Sequence, residues 1–570
     1  MSDTQFRPQQ QQIRTLSLQI GARGWKLKSL ESRWRFLHKL ASIALVTIIV
    51  SALSAQKTHQ PHMRVGLPQD WSHARVIFSR NALMTHPGLA QSEPRVLHQW
   101  LRQTLAAQHN SSAVASLANS DEHHRDWSFA LGNGRVAAGM SPAKYGFDAT
   151  VPPSCTNDFV VFGLNLAGSA TQANLVALNN LYSGPGGMCG TGGPSVLFAY
   201  NASTAGGRIA TSPIISMDGT KIAFVESAGT SSILHILTWT PGGTVTSPAV
   251  PASMVSITYA PSASNSRSSP WIDFKGDTIY VGANNGRLYK FTGVFLGTPA
   301  LAGAPWPAIV SGGHILTGPV LDHPTGNLFL GDTAGTLFAV NSSTAKIANK
   351  LVVGSPTAAA GGGIVDAPMV DSSNGLIYAE SSNDNISAVL VQATTSNLTE
   401  LARARIGMAS TSGTNIPIYD GSPDNNYFNN PSTGTFMACG TGAADTSPWL
   451  YTFNFAANNT LNTTPISSSQ LLTSTAAKCS PITEFFNPNI GGGTDFFFFG
   501  LTRDCFPPAT AGCVVSRQTP GASPLPVRQG GGTSSIIVDN QSTAGQASSI
   551  YFTNLAAPGN AVKLTQSGLR

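Results

Sequence analysis

Short apolar runs, each closed by a turn of Gly, Asn, Asp or Ser, succeed one another from residue 126 to residue 566. The runs are of strand length and the punctuation is that of turns, so the pattern predicts an all-β region. It also repeats. Residues 268–291, SSPWIDFKGDTIYVGANNGRLYKF, have a counterpart in TGPVLDHPTGNLFLGDTAGTLFAV, which begins 49 residues later. The shared unit is a Ser, Thr or Gly before Pro, an apolar strand, a turn, a second strand, a polar turn and a third strand. Its starts are Pro142, Pro213, Pro270, Pro319, Pro368, Pro423, Pro481 and, most diverged, Ser535, at intervals of 49 to 71 residues.

A fourth strand fits in each spacer, as PSVLFAYNASTAGG before Pro213. Four antiparallel strands roughly every 50 residues is the signature of a β-propeller blade. A solenoid needs shorter and more even repeats, and immunoglobulin-like domains need about 100 residues each. The expected fold is therefore an all-β propeller over residues 126–570, with eight blades, or seven as the alternative count. DWSFALG, residues 126–132, places Trp127, Phe129 and Leu131 on one face and stands before the first unit as VLFAYN stands before the second. It is expected to complete the last blade, formed by residues 532–566, and so to close the ring.

The succession SPxxD, then GxIYVGxxxGxLYxF, resembles the pyrroloquinoline-quinone-like and YVTN-type propeller repeats, and SMDGTKIAFVES resembles the TolB-type version. DWSFALGNG is similar to the spacer strand of the first of these families. Together with QDWSHARVIFS at residues 69–79 and an export signal, the repeats are similar to a group of exported bacterial propeller proteins. The resemblance covers roughly residues 126–566. It implies the fold, and one fold hosts many activities.

The N-terminal part is different material. Arg23, Lys26, Lys28, Arg33, Arg35 and Lys39 precede the apolar run LASIALVTIIVSAL at residues 40–53. Its length fits a signal-peptide core better than a spanning helix of about 20 residues. Residues 1–55 are read as a basic region plus either a cleaved signal peptide or an uncleaved helical anchor that attaches the chain to the inner membrane through residues 40–55. Residues 56–125 hold eight of the twelve histidines and read as a flexible segment, with one amphipathic helix expected at 93–108 from Val96, Leu97, Trp100, Leu101 and Leu105. His123 and His124 lack a further ligand at helical spacing and are read as linker.

Charge sharpens this division. Only 11% of residues are charged, while Gly numbers 57 and Pro 36, a turn-dense and neutral composition. The net charge of +6 resides in residues 1–124, where 14 Lys and Arg face 6 Asp and Glu; residues 125–570 hold 19 and 21. The propeller region has no basic excess to follow a phosphate backbone, which excludes nucleic acid as its partner class.

Six cysteines, Cys155, Cys189, Cys439, Cys479, Cys505 and Cys513, form no C-x-x-C and no vicinal pair. Neighbour pairing predicts bridges 155–189, 439–479 and 505–513, although six cysteines permit 15 connectivities. Bridges and signal together imply a periplasmic, membrane-anchored or extracellular location.

Catalytic chemistry is not written in motifs: the chain has no G-x-x-x-x-G-K, G-x-S-x-G or H-E-x-x-H. Asp218, Asp273, Asp322 and Asp371 recur three to five residues after their unit's proline, before glycine turns, and are read as turn caps in preference to ion ligands. The oxygen-rich stretch at 420–434 lacks the spacing of a calcium loop and is read as surface loop. His235 is expected within a strand, His314 and His323 flank the Pro319 strand, and the FFFF run at 496–499 is read as a strand buried on both faces.

No catalytic, cofactor or metal residue is assigned. The resulting expectation is an exported, non-catalytic binding or scaffold module that takes a protein or glycan ligand on a propeller face. The alternative, raised by the quinone-enzyme resemblance, is an enzyme acting on a sugar or alcohol in the funnel with pyrroloquinoline quinone or calcium. The vicinal disulfide that covers the quinone in the alcohol-oxidising branch has no counterpart here.

Overall fold

The computed structural model describes residues 67–69, 76–77, 123–146, 153–355, 363–410, 416–487, 493–506, 510–520, 526–540 and 546–566. The expected export segment at 40–53 and the expected helix at 93–108 lie outside the described residues. The described part is an eight-bladed β-propeller of successive antiparallel sheets.

Each blade starts where the repeat predicts. The inner strands are Ala143–Gly146, Ile214–Ile215, Trp271–Asp273, Val320–Asp322, Met369–Asp371, Ser422–Pro423, Thr483–Asn487 and Ile537–Asn540. Proline at or just before a short inner strand is tolerated because that strand's channel-side edge carries no obligatory ladder bond. The register is shared as well: Trp271 faces Tyr280, Val320 faces Phe329 and Met369 faces Tyr378, each being the residue after its unit's proline.

Burial follows the stacking of blade on blade. Second strands such as Phe159–Gly163, Thr278–Gly282, Asn327–Gly331 and Thr494–Leu501 are buried throughout, since they lie between two neighbouring sheets. Outer strands face solvent and are far more exposed, as in Ser253–Ala260. Glycine ends three of these second strands for a steric reason: a Cβ on Gly163 would sit 2.6 Å from Ile209, one on Gly282 2.9 Å from Leu316, and one on Gly331 2.5 Å from Ile364, in segments leading to the next blade. Four strands complete most blades, but the outer edge of the third is split into Ala300–Leu301 and Ala308–Ile309, both paired with Arg287–Thr292.

The ring closes as expected. The outer strand of the eighth blade is His123–Ala130, paired with Asn560–Gln566 so that Trp127 faces Lys563 and Phe129 faces Ala561. The strand begins at His123, so His123 and His124, expected in the linker, are its first two positions. The register shifts between Arg125 and Trp127, at Asp126, and both Asp126 and Trp127 are buried.

This bulge feeds a buried polar seam between the eighth and first blades. Lys563 Nζ lies 2.8 Å from Asp126 Oδ2 and donates to Gln546 Oε1 at 2.9 Å. Lys144 Nζ lies 3.0 Å from Asp539 Oδ2, and Tyr182 donates to Asp158. Trp127 Nε1 donates to the Leu181 carbonyl at 3.0 Å, and Gln546 Nε2 to that of Pro185 at 2.7 Å, so the eighth blade is bonded to the first. Burial, with the charges of Asp539 and Asp158, pushes the Tyr182 phenol well above its ordinary value, so it remains a donor.

Candidate functional site

The central channel and its mouth are where a propeller's inner strands and connecting loops converge. Two further short strands line this channel. Leu67–Gln69 pairs antiparallel with the inner strand of the first blade, with Leu67 opposite Gly146 and Gln69 opposite Lys144. Val76–Ile77 pairs in parallel with the inner strand of the fifth blade, with Val76 opposite Val370 and Ile77 opposite Asp371. Sequence reading gave these positions no structure: two or three residues are too few to show a period.

At the end of the channel where the inner strands begin, the segments leading into several blades meet. The amide of Ser141 donates to Ser212 Oγ at 3.0 Å and that of Ser212 to Ser269 Oγ at 3.1 Å, which links the first three blades. Ser269 Oγ in turn lies 3.2 Å from Met140 Sδ. Tyr419 packs so closely on Gly139, which has φ of +79°, that a Cβ there would sit 2.3 Å from its ring. Burial and the Asp366 charge push the Tyr419 phenol up to about 12, against the nearby Arg267 cation. Burial lowers the Arg267 value despite the charges of Tyr419 and Asp366. Arg267 Nη1 is buried without a hydrogen-bond partner among the described residues, so this mouth retains donor capacity beside a phenol that remains protonated.

The recurrent aspartates cap turns. Asp218 accepts from the Thr220 amide at 3.1 Å and from Ser216 Oγ at 2.6 Å. Asp273 accepts from the Lys275 amide, Asp322 from the amide and hydroxyl of Thr325, and Asp371 from the amides of Ser373 and Asn374. Each carboxylate is thereby engaged by its own turn, and Asp322 also accepts from the Ser372 hydroxyl of the next blade. Asp371 has one partner beyond its turn, the Tyr427 hydroxyl at 2.7 Å, which itself lies 2.8 Å from that of Tyr378.

The oxygen-rich stretch at 420–434 is ordered by its own side chains. Asp424 caps a short helix, Asn425–Asn429, by accepting from the Tyr427 amide, and Asn430 caps the turn that follows. Beside it, Asp495 accepts from the Asn425 amide at 2.8 Å. Burial and the charge of Asp424 push the Asp495 carboxyl up to about 7, against the bonds from Asn425 and Glu484.

The other singled-out residues are dispersed. His235 is buried, with Nε2 2.9 Å from Glu226 Oε2 and Nδ1 2.8 Å from Ser256 Oγ. Glu226 also accepts the amides of Thr204, Ala205 and Gly207. Burial opposes its charge, but these bonds and His235 prevail and hold it down at about 2. His323 Nε2 lies 3.9 Å from Asp273 Oδ1. Residues 496–499 lie in the second strand of the seventh blade, buried on both faces. The structure holds disulfides Cys155–Cys189, Cys439–Cys479 and Cys505–Cys513. The first and third fall within a blade, and the second ties the sixth blade to the seventh.

No family model matches the chain, and no curated protein matches it. Among solved structures it is similar to BamB from Moraxella catarrhalis, at 13% identity over 78% of this chain and 98% of that one, with a TM-score of 0.44. It is also similar to Sqt1 of Saccharomyces cerevisiae, at 11% identity over 78% and 99% with a TM-score of 0.46. A third similar structure is the Dos1 propeller, at 12% identity over 77% and 94%, also with a TM-score of 0.46.

Proposed function

We propose that the chain is an exported, non-catalytic β-propeller of the pyrroloquinoline-quinone-like or YVTN repeat type, working as a binding or scaffold module in the cell envelope or outside the cell. In this reading it takes a protein or glycan ligand and needs no cofactor. Three disulfides support an oxidising location. Residues 40–55 then act either as a cleaved signal or as an inner-membrane anchor.

The observation that carries the binding role is the distribution of exposed apolar side chains. Leu296 is 84% exposed, Val250 80%, Ile309 66%, Val352 58% and Ile466 57%, on or beside outer strands of the second, third, fourth and sixth blades, and Ile386, in a turn of the fifth, is 66% exposed. Among the described residues the seventh and eighth blades expose no comparable side chain. Single exposed apolar residues are ordinary, but a series that runs over the second to the sixth blades suits a protein contact. The split outer edge of the third blade, between Leu296 and Ile309, adds unpaired backbone to this series.

Native mass spectrometry with metal analysis, on protein purified from its own envelope, tests the proposal. It predicts a retained polypeptide or glycan that L296D/I309D releases. A stoichiometric quinone or calcium ion with no such partner contradicts it and favours the enzyme.

A further inference from the structure

The two short strands in the channel, Leu67–Gln69 and Val76–Ile77, sit on the first and fifth blades. In a ring of eight these blades face each other across the channel. All inner strands of a propeller run in the same sense along its axis. A segment that passes along one inner edge and returns along the opposite one must therefore be antiparallel to the first and parallel to the second. That is the observed pairing: Leu67–Gln69 is antiparallel to Ala143–Gly146, and Val76–Ile77 is parallel to Met369–Asp371.

The second contact is side-chain specific. Val76 and Ile77 are 1% and 2% exposed, and being successive strand residues they point to opposite faces. Val76 enters the cluster of the fourth and fifth blades with Val320, Leu321, Val370 and Ile377. Ile77 enters the cluster of the fifth and sixth blades with Met369, Tyr378, Ile418 and Phe436. Main-chain bonds to an exposed edge and alternate side chains into pockets on either face are how sheets recognise an extended peptide.

We propose that the channel is a peptide-binding site that works by strand addition, with this chain's own strands Leu67–Gln69 and Val76–Ile77 as its resident ligand. The ligand class is an extended segment whose β-branched apolar pair lies along the inner edge of the fifth blade. The pair is held without a covalent bond to that blade, so an equivalent segment supplied in trans exchanges with it. This site is separate from the outer-strand surface, and either can fail without the other.

The test uses the full chain carrying a protease site between Asn110 and Asp121, cut after purification. The N-terminal fragment is expected to co-elute with the ring and to be displaced, dose by dose, by a synthetic peptide of residues 64–80. The same peptide bearing V76D/I77D is expected to be at least tenfold weaker. Because the ring itself is unaltered in this comparison, misfolding does not enter. A fragment that leaves on cutting, one that excess peptide fails to displace, or equal displacement by both peptides would overturn the proposal.

Discussion

Lys563 and Asp126, near opposite ends of the described ring, meet at 2.8 Å with both side chains wholly withdrawn from solvent. Thr565 Oγ1 donates to the same carboxylate at 2.6 Å, across 439 positions of sequence. The closing strand is thus fastened by a buried ion pair as well as by its ladder. Removing one partner of such a pair strands a charge and costs about 3–5 kcal/mol, whereas replacing both with apolar residues is often neutral. D126A is expected to lower stability by that amount, and D126L/K563M to recover most of it. Chemical denaturation of the two variants checks the coupling; equal losses in both would show that the ion pair does not fasten the strand.

Glu226 makes stability depend on acid. Its carboxyl is held at about 2 in the folded chain, against an unfolded value of about 4.3. The contribution is complete above that unfolded value and is lost as the pH falls from there towards 2. At neutral pH E226Q is expected to cost about 2–3 kcal/mol, because the amides of Thr204, Ala205 and Gly207 lose their carboxylate acceptor. Melting temperatures between pH 2 and 6 check it: the wild type should lose this advantage over E226Q as acid is added.

Asp495 acts with the opposite sign. Its folded value is raised to about 7, so the folded chain holds a proton that the unfolded chain releases near pH 4. Stability from this group is fullest below pH 4 and falls as the pH rises through 7. D495N keeps an acceptor for the Asn425 amide without the charge and is expected to raise the melting temperature at pH 8 while leaving it nearly unchanged at pH 4. An unchanged difference between the two pH values would contradict the assignment.

Cys439–Cys479 spans 40 residues and joins two blades, whereas Cys505–Cys513 spans 8 within one blade. In the chain-entropy account the longer loop restricts the unfolded chain more. C439S/C479S is expected to cost about 4 kcal/mol and C505S/C513S about 2.5. Urea denaturation under non-reducing conditions compares the two.

The ring was legible in the sequence because its punctuation is local. A proline marks each of the first seven inner strands and turn residues follow at fixed offsets, so eight units could be counted and the closing strand placed at Trp127, Phe129 and Leu131. The recurrent aspartates were legible as caps for the same reason. The seam was not, because a lysine within a strand carries no local mark of its partner, and Asp539 and Asp126 are distant in sequence from Lys144 and Lys563. Nor was the filling of the channel legible: Val76–Ile77 is two residues long, and its meaning comes from an edge nearly 300 positions away. The mouth residues Arg267, Asp366 and Tyr419 lie in three different lead segments, and no spacing rule connects them.

The central claim is that one ring, closed by its N-terminal strand, carries all eight blades. Deleting residues 126–131 from the full chain and following thermal unfolding tests this most directly. The deletion removes the buried Trp127, the partner of Lys563 and most of the outer ladder of the eighth blade. The predicted result is a lower melting temperature for the whole domain, seen alike by far-UV circular dichroism and tryptophan fluorescence. A melting temperature equal to that of the intact chain would contradict closure at this strand.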